Sequence, residues 1–299
     1  MISEKPGSSK VSLSEADPMP RLASLPMYDF AELTDAHDAL WSFVAEHLRT
    51  AGVADVPRVL DRTIPYNETW STASLLLGQS CGLPIVDQLD GLVAVLGGFS
   101  VVDGSSDGTY CSKLVVHRDH KAQALSDLNW TGGVRAVING WDSLSGYVSF
   151  GAACAEAVEL GSIPSSAGFA HVEQTGGHVN SAAALADRAI DLACMDGHTL
   201  ALLQRHRPEA VAHIRILASG PVVPCLPLIT ALPADDELLA ILRSALHAAS
   251  VSESLVSARE ALGISGFVSY GNERYEPIRD MQHAAKSFFG RQPDIGVVG

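Results

Sequence analysis

Leu75–Val86 reads LLLGQSCGLPIV. The apolar start predicts a strand. Gly78-Gln79-Ser80-Cys81-Gly82 then matches G-x-S-x-G, the strand-to-helix turn that presents the nucleophilic serine of α/β hydrolases. The reading of this turn decides the fold. A hydrolase needs a histidine base, an acid that orients it and a pair of oxyanion donors. The last histidine, His283, falls in a stretch with helical spacing, and no HGGG-type segment precedes Ser80. Only about two strands come before it, fewer than a hydrolase sheet carries. The turn reads better as a loop at the carboxyl end of a strand. There Gln79, Ser80 and the backbone of Gly82 donate hydrogen bonds to a bound ligand.

Outward from this turn, strand and helix patterns alternate. RLASLP, PRVLDRTI, LVAVLGGFSVV, YCSKLVVHRD, VRAVING, HVEQ, DLACM and IRILASG are apolar or β-branched runs that predict strands. Ala31–Thr50, SLSGYVSFGAACAEAV, HVNSAAALADRAI, HTLALLQRHRP, 235–249, 252–262 and 279–289 carry apolar residues at helical spacing. This alternation predicts an α/β protein with largely parallel sheets. Residues 1–20, rich in Ser, Pro and Glu, read as a flexible tail.

The bulk numbers narrow the function. The chain has 299 residues, is 47% hydrophobic and 18% charged, and carries a formal net charge of −14. That balance supports a substantial core and argues against a phosphate-backbone binder, so no nucleic-acid partner is expected. The five cysteines, Cys81, Cys111, Cys154, Cys194 and Cys225, form no C-x-x-C pair and read as reduced, mostly buried thiols. Neither an H-E-x-x-H, a Walker loop nor a G-x-G-x-x-G occurs, and no metal or other cofactor is expected. No run spans a bilayer. The first 20 residues hold no apolar leader core, so the sequence as given reads as cytoplasmic, and as periplasmic if the true start lies upstream.

In parallel α/β sheets, ligands bind beyond the carboxyl ends of strands. The loops there hold Tyr28, Gln79–Ser80, Trp141-Asp142-Ser143-Leu144-Ser145-Gly146, Thr175-Gly176-Gly177-His178 and Asp196-Gly197-His198-Thr199. Hydroxyls and free amides at a helix start suit an anion without any lysine. Ser143 alone reads equally as an N-cap, and Asp196 as either a cap or a group facing the ligand. His178 is a first-turn polar residue or a cleft residue. Trp141 and Tyr110 adjoin polar turns and are the aromatics expected against a ligand.

The ordered segments LLLGQSCGLPIV, GTYCSKLVVHRD, VRAVINGWDSLSGYVSF, TGGHVNSAAALADRAIDLACMDGHTLALL and IRILASGPVVPCLPLIT resemble the PhnD-like family, the phosphate/phosphite/phosphonate substrate-binding proteins of ABC uptake systems. The resemblance runs over about 21–285. It implies a two-lobed type II periplasmic-binding-protein fold, with a small anionic ligand in the cleft and an ABC permease as partner. It places the crossings near Tyr110–Val116 and Ile214–Gly220. Lobe one is then 21–111 plus 216–299, and lobe two 112–215. It assigns the anion to Ser143 and Ser145, with Tyr28 and Gln79–Ser80 facing them across the cleft. Tyr110, Trp141, His178 and Asp196 complete the expected ligand-binding set. The alternative is a cytosolic lyase of a small carboxylate on the same fold, similar to chorismate dehydratase. In that case Asp196, Asp142 and His178 are the acid–base candidates.

Overall fold

A computed structural model describes residues 20–290. The tail expected over 1–20 lies outside the described residues apart from Pro20. Among the described residues, ten strands form two five-stranded sheets. The first contains β1 (Leu22–Ser24), β2 (Leu75–Gln79), β3 (Val93–Val101), β9 (Pro227–Ala231) and β10 (Ile264–Val268), in the order β1-β2-β9-β3-β10. The second contains β4 (Thr109–His117), β5 (Val134–Ile138), β6 (Phe169–Gln174), β7 (Leu192–Met195) and β8 (Ile214–Pro224), in the order β6-β5-β7-β4-β8.

The α/β class expected from the alternation holds, but the sheets are mixed rather than largely parallel. β1 runs parallel to β2, and β5 runs parallel to both β6 and β7. The remaining neighbours are antiparallel. The chain changes sheet twice, after β3 and after β8, and the strands that return to the first sheet, β9 and β10, run antiparallel to their neighbours. The long strands β4 and β8 pair with each other inside the second sheet, from Thr109↔Pro224 to His117↔Ile214. The passages between sheets are therefore residues 102–108 and 225–226, just beyond the crossings expected at 110–116 and 214–220.

Helices Thr34–Thr50, Asp236–Val251 and Val256–Leu262 bury Leu40, Trp41, Val44, Leu48, Leu242, Leu246 and Leu262 in one core with the first sheet. The stretch PRVLDRTI, expected as a strand, is a loop. Pro57 leaves it one donor short, and Asp61 folds its carboxylate back onto the amides of Thr63 and Ile64, both at 2.9 Å.

The C-terminal helix Ile278–Phe289 differs from the expected division, which put all of 216–299 with the first lobe. It packs on Ser149–Glu159 of the second: the Phe288 ring sits 5.2 Å from Phe169 and 6.0 Å from Trp130. The two helices approach so closely that a Cβ on Gly151 would lie 2.6 Å from the Cα of Ala285. Gly151→Val is expected to destabilise the fold by about 1–3 kcal/mol through overpacking. A melting temperature lowered by roughly 2–4 °C per kcal/mol is the check.

Candidate functional site

The parallel strands build the site. The loops after β1, β5, β6 and β7 all open into one cleft of 280 Å³ between the two sheets, which is room for a small ligand. Pro26, Met27, Tyr28 and Cys81 enter it from the first lobe, and Asn139, Asp142, Ser143, Ser145, His178, Asp196 and Thr199 from the second. No Lys or Arg stands among these lining residues.

After β5 the backbone turns at Ser143, whose Oγ accepts the Gly146 amide at 3.0 Å. The next five residues, Leu144–Val148, form one wide π-turn before the α-helix begins at Ser149. Gly146 leaves room for the Asn139 side chain, whose Oδ1 a Cβ at this position would displace. Ser143 therefore does cap the turn. It also lines the cleft, and its proton is not used in the cap, so the two sequence readings coexist in one side chain.

Ser145 Oγ lies 3.4 Å from Ser143 Oγ and 3.1 Å from His178 Nε2. The Asp196 amide also donates toward Nε2, at 3.4 Å. With Nε2 accepting, the proton of the neutral imidazole is on Nδ1, which is buried without a partner among the described residues. Burial lowers the His178 pKa from 6.5, and the nearby Asp196 only partly offsets this.

Asp196 ends β7 and caps the helix Gly197–His206, its Oδ1 accepting the Thr199 amide at 2.7 Å. Oδ2 accepts the Tyr110 hydroxyl at 2.6 Å. The Tyr28 hydroxyl lies farther off, at 3.3 and 3.4 Å from the two oxygens. Three neutral donors thus hold a buried carboxylate. Burial, and then the Asp196 charge, pushes both tyrosines well above their ordinary pKa of 10. Tyr28 adopts a left-handed backbone (φ 65°), rare for a residue with a Cβ.

The remaining expected residues lie elsewhere. The Ser80 side chain is buried, and its Oγ donates to the Cys81 carbonyl at 3.1 Å. Gln79 borders a separate inner cavity and passes its carbonyl to the Trp70 indole at 2.9 Å. Trp141 packs against Tyr147 and Phe289, at 5.1 and 5.7 Å, outside the cleft lining. Tyr110 reaches the site only through Asp196. Conversely, Asn139 and Tyr66 line the cleft although the sequence patterns above do not mark them, and Thr199 and Cys81 line it from loops the sequence did mark, without being singled out there as ligand residues. Asn139 and Thr199 sit at the ends of runs already read as strand-end loops. Tyr66 belongs to a five-residue helix, Tyr66–Trp70, too short to show a period.

The two lobes touch around this space. The Leu144 amide donates to Cys81 Sγ at 3.2 Å, and Arg207 chelates Glu32 at 2.6–2.9 Å while lying over the Phe30 ring.

Three imidazoles, the buried His37 and His198 and the half-buried His178, contribute to the pH response of the fold. Burial is the main cause of lowered pKa values at His37, His178 and His198. The unfolded chain binds protons near pH 6.5 that the folded chain refuses. Stability is full above that pH and falls as the pH drops from 6.5 through the folded-state values, by at most about 1.4 kcal/mol per pH unit for each imidazole. Urea unfolding between about pH 7.5 and pH 5 should show this loss.

Comparison with known proteins agrees with this fold. A binding-protein component of an ABC phosphonate transporter from Pseudomonas aeruginosa has a similar structure, with a TM-score of 0.68 at 17% identity over 89% of this chain and 86% of its own. PhnD1 from Prochlorococcus marinus, in complex with methylphosphonate, gives 0.66 at 14% identity over 89% and 99%. A Xanthomonas citri protein bound to ATP gives 0.64 at 16% identity over 91% and 98%. At these identities the likeness establishes the two-lobed periplasmic-binding-protein fold. No curated protein matches the sequence. No helix among the described residues is long and apolar enough to cross a membrane. Residues 77–275 match the profile of the phosphonate ABC transporter, periplasmic substrate-binding protein family, which favours a binding protein with a small-molecule ligand and a permease partner over the lyase. The chain belongs to that family of phosphonate ABC-transporter substrate-binding proteins.

Proposed function

We propose that this chain captures a small phosphonate-class anion in the cleft between its lobes and delivers it to an ABC permease on the periplasmic side of the membrane. The observation that carries this reading is a set of neutral donors in one cleft whose lining holds no Lys or Arg. Ser143 spends no proton on its cap and faces Ser145 Oγ only at a long 3.4 Å, and His178 has an unused Nδ1–H. Ser143, which lines the cleft, is the direct donor to the anion, and the covered Nδ1–H of His178 is a second donor once its ring turns toward the ligand. Ser145 positions His178, because its hydroxyl proton is taken by Nε2. Tyr28 walls the cleft, and Asp196, occupied by its three donors, organises the floor.

Isothermal titration with methylphosphonate, inorganic phosphate and acetate tests this. Saturable binding of the phosphonate, with acetate inert and the ligand recovered unchanged, is expected. Binding of acetate alone, or of none of the three, overturns the assignment. Cell fractionation and co-purification with a permease test the location and the partner.

A further inference from the structure

Behind Tyr28 lies a second, enclosed cavity. It shares two walls with the cleft, Tyr28 and Leu226. Its other walls are mainly apolar, among them Leu40, Phe99 and Ile264, with His37, Gln79 and His198 as polar members. The space open to the centre of a water is 30 Å³, enough for about two waters or a chain of two to three carbons.

Two features of this chamber are unspent. His198 donates Nε2–H to the Leu262 carbonyl at 3.0 Å, which leaves Nδ1 as an acceptor. That nitrogen has no partner among the described residues, and the residue is only 2% exposed. An orphaned buried acceptor is costly, and an apolar void forfeits contacts along its lining. The partition is also loosely held. The Tyr28 hydroxyl makes only long bonds to Asp196, whereas Tyr110 and Thr199 keep that carboxylate satisfied at 2.6 and 2.7 Å without it. The Tyr28 ring otherwise stands edge-on to His198, with centroids 4.7 Å apart.

We propose that this chamber is a second subsite, which takes the organic substituent of the ligand when the Tyr28 ring swings aside. The substituent is a short neutral alkyl chain, and a hydroxyl at its end would meet His198 Nδ1. The proposal rests on the anion site above: the head group stays with Ser143 and His178, and the tail enters the chamber.

Titration of the full chain with methyl-, n-propyl- and 3-hydroxypropylphosphonate tests it. Two added methylenes should tighten binding about tenfold, and the terminal hydroxyl should preserve that gain. Leu40→Phe and Ile264→Phe each fill the chamber from a wall remote from the anion. Both should bind methylphosphonate within about twofold of the parent, well short of the tenfold step, and lose the propyl advantage. Methylphosphonate binding with propylphosphonate no tighter overturns the chamber proposal and leaves the cleft reading intact. This comparison needs only the unaltered protein, so a poorly folding variant does not block the test. A propyl advantage that survives in both filled variants also overturns it, because the tail then lies elsewhere. Failure of all three phosphonates overturns the cleft reading and the chamber together.

Discussion

Asp196→Ala is expected to cost about 3 kcal/mol or more of folding stability. The substitution strands a helix-cap amide at Thr199 and removes the acceptor of Tyr110 and Tyr28. Loss of a cap costs about 1 kcal/mol, and each buried donor left unpaired about 1–3 kcal/mol. Tyr28 contributes least, because its bonds are long. Asp196→Asn keeps one acceptor oxygen and should lose roughly half as much. Urea denaturation of the two variants beside the parent measures both values. Equal stability of all three would mean that the carboxylate is not the hub that its geometry describes.

The second large effect is on ligand affinity. Ser143→Ala removes the hydroxyl proposed to donate to the anion, and hydrogen bonds to charged groups contribute about 1.5–3 kcal/mol. The dissociation constant for methylphosphonate should rise about 10- to 100-fold. The same change removes the cap on Gly146 and lowers stability by about 1 kcal/mol. Ser145→Ala acts through the orientation of His178 and should weaken binding less, about three- to tenfold. The order of the two effects is the informative result. A larger loss at Ser145 would make that serine the direct donor and reverse the tautomer assigned to His178.

Much of this site is legible in the sequence, because a ligand in an α/β sheet sits where parallel strands end. Ser143, Ser145, His178 and Asp196 stand in the loops directly after VRAVING, HVEQ and DLACM, and that position alone marks them. Their mutual bonding is not legible, since it joins residues from three loops. The hydrolase motif misleads for a physical reason: the short-range pattern at Ser80 fixes a turn but not the direction of its side chain, which bonds to the next carbonyl. Trp141 adjoins the correct loop, yet its ring lies on Tyr147 and Phe289 and stays half exposed, away from the cleft lining. β9 is hidden because it starts on Pro227, three residues after Pro224 closes β8, and prolines argue against a central strand; its pairing with β2 and β3 begins at Leu228 and Pro227 respectively. Strand direction is likewise invisible, since it depends on where the chain changes sheet rather than on local periodicity.

The absence of Lys and Arg from the cleft lining has a consequence for ionic strength. A lysine-based anion site weakens as salt screens its attraction. Here the fixed charges in the lining are the carboxylates of Asp142 and Asp196, and screening acts on repulsion instead. Added salt should therefore leave the affinity unchanged or raise it slightly, and the chain would hold its ligand across osmotic swings that empty a cationic receptor.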